Sequence, residues 1–352
     1  MKILLTGALG NIGFSTLEEL LRQGHTVRGF DRRTKANEKK ARQVAGKAVL
    51  EIPPDTPTMK SGSYSAASTP TINRGATAGG KVELRWGDIR QAQDIAAAVE
   101  GQEVIIHLAF VIPPDLDDDP KGAYEVNVVG TRHLLEVAQR QATPPKILFA
   151  STLDVFGHTQ DQPPPRKVSD PIYATDDYTR HKIECEEMVK NSGLEWAIYR
   201  FADVPPLAAR NPHPIMFRIP LNTRLEMLHT HDAGLAVANG VRSPIWGRIW
   251  LIGGGSRCQV RYRDYLGRML EAMGIGMLPE DAFSHEQYCT DWLDTTESQA
   301  LLSYQRHSFD DIIEDVIKAT ALPPPVRQLL PLFRPIVRRS ILKMSPHAKV
   351  KA

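Results

Sequence analysis

The chain begins MKILLTGALGNIGFSTLEELLRQGHTVRGFD, Met1 to Asp31, and this stretch decides the fold. Ile3, Leu4 and Leu5 form an apolar run of strand length that ends at once in Thr6-Gly7-Ala8-Leu9-Gly10-Asn11-Ile12-Gly13. Leu17, Leu20 and Leu21 then recur at helical spacing and Gly24 closes the helix. Thr26 to Phe30 makes a second strand with Asp31 at its carboxyl end, eighteen residues past Gly13. Each part serves the binding of a dinucleotide. Glycines let the backbone approach a pyrophosphate, the helix amino terminus offers N–H groups and the positive end of its dipole, and the acid accepts hydrogen bonds from a ribose. Glycines that made only a tight turn would not need the helix, second strand and acid at these spacings.

Outward from this stretch the strand and helix alternation continues. Val82 to Trp86 reads as a third strand, and Asp88 and Ile89 leave it placed to bond an adenine amino group and pack on its ring. A helix follows from Gln91 to Val99, then the apolar run Val104 to Ala109, typical of a buried parallel strand, with His107 read as a core histidine. Ala123 to Gln139 has helical spacing around Asn127, and Lys146 to Ala150 is the fifth strand. The order predicts an α/β fold, a Rossmann-type doubly wound parallel sheet with its ligand at the strands' carboxyl ends. The 352 residues, 42% hydrophobic and 24% charged, allow one extended unit or one domain plus a lobe. Residues 51–80 turn to Pro, Ser, Thr, Gly and Ala and read as a mobile insertion.

At the end of the fifth strand stand Ser151 and Thr152, and Tyr178-Thr179-Arg180-His181-Lys182 opens a helix toward Asn191. Four residues put Tyr178 and Lys182 on one helical face. A phenol ordinarily titrates near ~10, and a cation about 4 Å away at an effective dielectric near 20 is worth roughly 4 kcal/mol, enough to lower it by a few units. Tyr178 would then take a hydroxyl proton as hydride leaves the same carbon, with Thr152 holding the oxygen in line.

Thr6-Gly7 to Gly13, Gly87-Asp88-Ile89, His107-Leu108-Ala109, Asn127 to Thr131, Ser151 to Gly157, Tyr178 to Lys182 and Tyr199 to Val204 resemble the successive landmarks of the extended short-chain dehydrogenases, the NAD-dependent epimerase/dehydratase family. The resemblance implies a catalytic Thr152, Tyr178 and Lys182. It implies a cofactor lined by Gly7, Gly10, Asn11, Ile12, Gly13, Asp31, Asp88, Ile89, Leu108, Ala109, Phe110 and Phe201, which Tyr178 and Lys182 also reach. It divides the chain into an NAD-binding domain over 1–202 and a smaller carboxyl-side substrate lobe over 203–318, with 229–252 returning to the sheet. A basic arm over 319–352 completes the division. NAD is the expected cofactor because Asp31 repels a ribose phosphate. Arg32 would serve NADP, although the basic run from Arg32 to Lys47 also reads as a solvated face.

The departures bear on substrate. Leu153 and Asp154 stand where sugar-nucleotide dehydratases of this kind carry an acidic or small polar residue and then Glu, and a leucine cannot donate a proton. Asp154 is a candidate substrate contact. Arg224 is a candidate for one diphosphate arginine of the epimerases, while Gln287 to Trp292 holds none for the second. Two functions follow: epimerisation of a sugar or sugar nucleotide, or net oxidoreduction of a non-nucleotide alcohol such as a hydroxysteroid. His229-x-His231 has ligand spacing but lacks a third partner in sequence, and the resemblance implies no metal.

A net charge of +2 argues neither for nor against nucleic acid; a small-molecule substrate and no nucleic-acid partner are expected. Cys185, Cys258 and Cys289 are few and widely spaced, as in a reducing compartment, and with Met1-Lys2 leading straight into a strand a cytoplasmic enzyme is expected. From Ala319 onward the chain has no acid and seven Lys or Arg. With apolar residues at helical intervals, residues 323–352 read either as an arm for an anionic membrane or acidic partner, or as a segment folded on its own subunit or a dimer mate. Helices 123–139 and 178–191 would supply the two-helix homodimer surface that the resemblance implies.

Overall fold

The apolar run behind Met1 is strand β1 (Lys2–Thr6), buried after its first residue, and helix α1 (Asn11–Arg22) buries Leu17, Leu20 and Leu21. Both belong to a computed structural model that describes residues 1–45, 50–51, 79–207, 212–320 and 334–347. The remaining strands are β2 (Thr26–Asp31), β3 (Leu50–Glu51), β4 (Lys81–Trp86), β5 (Val104–His107), β6 (Lys146–Thr152), β7 (Trp196–Phe201), β8 (Arg224–Glu226), β9 (Arg248–Ile252) and β10 (Gln259–Arg261). The remaining helices are α2 (Lys35–Ala45), α3 (Ala92–Val99), α4 (Asp115–Asp118), α5 (Pro120–Tyr124), α6 (Gly130–Gln139), α7 (Asp177–Lys190), α8 (Thr230–Gly240), α9 (Tyr262–Ala272), α10 (Thr296–Leu302) and α11 (Phe309–Thr320).

Eight strands form one sheet in the order β3-β4-β2-β1-β5-β6-β7-β9, and the pairings from β3 to β6 are parallel. The chain runs outward from β1 through β2 and β4, then returns to β5 on the other side of β1. Strand order therefore reverses between β1 and β5, where an open sheet leaves a crevice for a ligand. This is the doubly wound α/β sheet that the alternation predicts. Two features differ from the sequence reading. A two-residue strand, β3, takes in the first residue of the expected insertion, and residues 52–78 of that insertion lie outside the described residues. The helix expected over 123–139 is interrupted by a π-helical segment, Glu125–Val129, between α5 and α6.

Contacts divide the chain into two units: Met1–Thr152, Asp176–Arg200 and Ala233–Trp250 in the first, and Leu153–Thr175, Phe201–Asp232 and Leu251–Ala352 in the second. In the first, Leu4, Ile105, Ile147, Phe149 and Ile198 of the sheet meet Ile95, Val99, Leu134, Leu135 and Val189 of the helices. Each such burial contributes about 1.5–3 kcal/mol. In the second, β8 and β10 pair antiparallel, Glu226 opposite Gln259, beside a core of Phe217, Leu266, Phe283, Ile312 and Ile313.

Residues 334–347 belong to this second unit. Ile341 enters its core with Val337, Leu342 and Met344 packed around it. Arg338 donates to the carbonyls of Ile275, Gly276 and Met277 at 2.9, 2.9 and 2.7 Å, and Arg334 to that of Ile275 at 3.0 Å. Two of the arm's cations are thus turned onto carbonyls of their own chain. Residues 321–333 and 348–352 of the arm lie outside the described residues. Among the described residues no helix is long and apolar enough to cross a membrane.

His107 is 1% exposed, between the hydroxyls of Thr6 at 2.8 Å and Thr131 at 2.9 Å. Burial, with a smaller push from Lys182, lowers its pKa from 6.5 to about 3. Between those values the unfolded chain binds a proton that the folded chain refuses, so this contribution is whole above pH 6.5 and is lost as pH falls toward 3. The slope is at most about 1.4 kcal/mol per pH unit. Urea unfolding at several acidic pH values should show a steeper loss in the native protein than in His107→Gln; equal slopes would contradict the assignment.

Candidate active site

The glycine turn leaves β1 at the reversal point and is held in a shape that side chains would block. Gly7 has φ +67°, and a Cβ there would lie 2.8 Å from the Ala109 nitrogen in the segment leaving β5. At Gly13 a Cβ would fall 1.9 Å from the Gly7 carbonyl oxygen, so only glycine lets α1 start this close to the strand. Gly10 precedes α1, and its N–H bonds the Gly7 carbonyl at 2.9 Å. The Asp31 carboxylate closes β2 and accepts from the N–H of Leu9 at 2.8 Å, the N–H of Arg32 at 2.8 Å and the Asn37 amide at 3.1 Å. Burial raises its pKa against those bonds. The acid is therefore tied to the glycine turn itself. Lys40 donates to the Leu9 carbonyl at 2.6 Å, and Arg32 is exposed. These groups fit a dinucleotide: a turn kept free of Cβ atoms, a helix start and an acid fixed beside them.

Ile89 is buried, and a Cβ at Gly130 would lie 2.7 Å from its Cγ2. Asp88 is also buried. Burial alone would raise its pKa, but the Arg90 fork, at 2.5 Å from Nη2 and 3.0 Å from Nε, holds it below the ordinary value.

Helix α7 carries the tyrosine and lysine. Its entry is a capping box, with the Asp176 carboxylate accepting from the Thr179 N–H at 2.8 Å and the Thr179 hydroxyl accepting from the Asp176 N–H at 3.1 Å. Lys182, 4% exposed, donates to the Ala150 carbonyl at 2.6 Å, two residues before Thr152 ends β6. Its ammonium lies 3.5 Å from the Phe110 ring centroid and 5.9 Å from that of Tyr178, and the two rings meet edge to face at 6.0 Å. One unit thus holds Thr152, Tyr178, Lys182 and Phe110 together with the glycine turn.

Two features of this site escaped the sequence reading. One turn beyond Lys182, fully buried Glu186 receives Arg200 at 2.7 and 3.0 Å and the Ser151 hydroxyl at 2.5 Å, fixing the residue next to Thr152. Its spacing four residues past Lys182 was the signal available. The other is the π segment. Asn127 accepts from the Val111 N–H at 2.6 Å and donates to the Val111 carbonyl at 2.9 Å, clamping the chain just beyond Phe110. Single π turns of this kind are frequent at functional sites.

The second unit holds the remaining candidates. Phe201 ends β7 and is buried. Asp154 is half-buried in the turn Leu153–Phe156. With Asp203 it adds to the burial that raises the Tyr288 phenol pKa. Arg224, the candidate diphosphate arginine, is held within this unit. Its guanidinium bonds the Asp291 carboxylate at 2.6 and 3.0 Å and the carbonyls of Thr159, Gln160 and Gln162 at 2.9–3.0 Å, within a buried setting. Asp291 also accepts from the Thr159 hydroxyl at 2.8 Å and faces Arg166 at 3.4 Å, so Arg224 is part of a buried network of this unit.

The profile of the NAD dependent epimerase/dehydratase family matches residues 3–204, more than half of the chain. The chain belongs to this family. NAD is accordingly its cofactor. Among curated relatives, the human 3 beta-hydroxysteroid dehydrogenase type 7 is 32% identical over 119 residues, covering 34% of this chain and 30% of that protein. A probable UDP-glucuronate 4-epimerase of Rhizobium meliloti (strain 1021) is 29% identical over 164 residues, covering 46% of this chain and 40% of that protein. Both matches span well under half of the relative's length. Among solved structures, the UDP-glucuronic acid 4-epimerase from Bacillus cereus, with UDP-glucuronic acid and NAD, has a TM-score of 0.68 at 18% identity and covers 94% of this chain and 100% of that one. At such identity the likeness is one of fold.

As a family member, the protein should lose NAD when the turn is filled. Gly13→Ala sets a Cβ against the Gly7 carbonyl, and we expect NAD affinity in a calorimetric titration to fall at least about tenfold. Native affinity in that variant would remove the turn from the binding site.

Proposed function

We propose that this protein moves hydride at a secondary alcohol or ketone carbon, that Tyr178, Lys182 and Thr152 handle the oxygen on that carbon, and that the substrate is a sugar or sugar nucleotide undergoing epimerase-type chemistry. The observation that carries this reading is the buried Lys182 ammonium, bonded to the Ala150 carbonyl on the strand that ends in Thr152, one helical turn from Tyr178. Bound NAD supplies the hydride acceptor and donor. The Tyr178 oxygen takes the hydroxyl proton and returns it, Lys182 supplies a fixed positive charge on the same helix face, and the Thr152 hydroxyl orients the substrate oxygen. Asp31 favours NAD over NADP, since a ribose phosphate would meet a carboxylate tied to Leu9; exposed Arg32 is the group that would serve NADP.

A second reading is net dehydrogenation or reduction of a non-nucleotide alcohol such as a hydroxysteroid. It is favoured by Arg224, whose bonds to Asp291 weigh against a diphosphate role for it. Incubation of the protein and NAD with UDP-glucuronate, UDP-glucose and a 3β-hydroxysteroid separates the two. Isomerised sugar nucleotide without accumulating NADH supports the first, NADH formed in step with a ketosteroid supports the second, and no reaction across a broad panel of secondary alcohols would contradict both.

A further inference from the structure

The second unit brings three histidines to one place. His229 and His231 flank the start of α8, and His307, in the segment before α11, stacks on His229 with ring centroids 3.8 Å apart and planes 13° apart. One ring nitrogen from each lies within 4.8 Å of the others. His229 is buried, His307 half-buried and His231 exposed, so the cluster has both a fixed side and an open one.

Two carboxylates prepare the rings. Asp232, 1% exposed, accepts from the N–H groups of Arg306 and His307, each at 2.9 Å, and meets His307 Nδ1 at 2.6 Å. A carboxylate only accepts, so the ring proton sits on Nδ1 and Nε2 keeps its lone pair. His229 Nε2 lies 3.4 Å from Asp315 Oδ2, while its Nδ1 accepts from the His231 N–H at 3.1 Å, which marks Nδ1 as the unprotonated nitrogen. His229 and His307 thus each have a carboxylate at one nitrogen and a lone pair at the other, the outer arrangement that orients metal-bound histidines, and the His229 lone pair now accepts from the His231 N–H.

We propose that His229, His231 and His307 form a binding site for a divalent cation of the zinc class. Three imidazoles select zinc, cobalt or nickel over calcium and magnesium, which take oxygen ligands. Metal–nitrogen bonds of about 2.0–2.1 Å need nitrogens roughly 3.4 Å apart, so closure asks the stacked His229 and His307 rings to turn out of parallel until both planes meet at the ion, as exposed His231 moves in. A cation there displaces the contact from the His231 N–H and joins the α8 start to a segment 75 residues away. With three protein ligands the fourth position stays open. Nothing in this assignment depends on the hydride-transfer reading.

The test uses the full chain without a histidine tag. Equilibrium dialysis against zinc chloride, with metal counted by mass spectrometry, should give one zinc per chain, and cobalt chloride should develop the visible absorption of a four-coordinate site. His231→Ala removes an exposed ligand, and His307→Gln keeps a donor for Asp232 while removing the lone pair. Each should weaken zinc binding about tenfold or more and abolish the zinc-induced rise in melting temperature, whereas Tyr178→Phe should bind zinc as the native chain does. Absence of saturable binding, or native affinity in either histidine variant of unchanged circular dichroism, would overturn the proposal.

Discussion

Tyr178→Phe lowers turnover by about 10²- to 10⁴-fold and leaves the fold and NAD binding in place. The variant keeps the ring that meets Phe110 edge to face at 6.0 Å and loses only the oxygen proposed to carry the substrate's proton. Lys182 stays anchored on the Ala150 carbonyl, so the charge remains while the group it serves is gone. The loss should therefore fall on kcat, with little change in KM. The measurement is initial rate on whichever substrate turns over, beside a calorimetric NAD titration of both proteins. A rate within threefold of native would remove Tyr178 from the chemistry.

Arg200→Met has the largest expected effect on stability. Glu186 is 0% exposed and Arg200 is 3% exposed, so the substitution leaves a carboxylate buried against the Ser151 hydroxyl without its cation. Breaking such a pair costs about 3–5 kcal/mol, although the intact pair need not contribute that much over apolar neighbours. Glu186→Gln in the same chain removes the stranded charge, so the double variant should recover much of the loss. Urea midpoints of the three variants and the native protein form the cycle. An Arg200→Met midpoint within experimental error of native would show that the pair does not hold the end of β6.

Much of the site is legible in the sequence because its signals are local. The turn from Thr6 to Gly13, the acid at Asp31 and the Tyr178–Lys182 face each lie within one strand–helix–strand span or two helical turns, where spacing alone defines geometry. The rest depends on residues far apart. Arg224 reads as a substrate arginine because its partner Asp291 stands 67 residues away, and no local pattern reveals the pairing. His229-x-His231 gains its third imidazole only when the loop holding His307 folds back onto Asp232. The π segment is hidden for another reason. Periodicity around Asn127 is helical on both sides, and the bonds that Asn127 makes to Val111, 16 residues away, leave no local mark. The short strand β3 joins the sheet through pairs with Val82 and Glu83, and two residues are too few for periodicity to mark.

The central claim is that the first unit is an NAD-dependent hydride-transfer site, and its most direct test is calorimetric titration of the native chain with NAD and with NADP. The account predicts one NAD bound per chain, with NADP weaker because Asp31 faces the ribose. If neither nucleotide bound, or if NADP bound more tightly than NAD, the role given to Asp31 and the glycine turn would be contradicted.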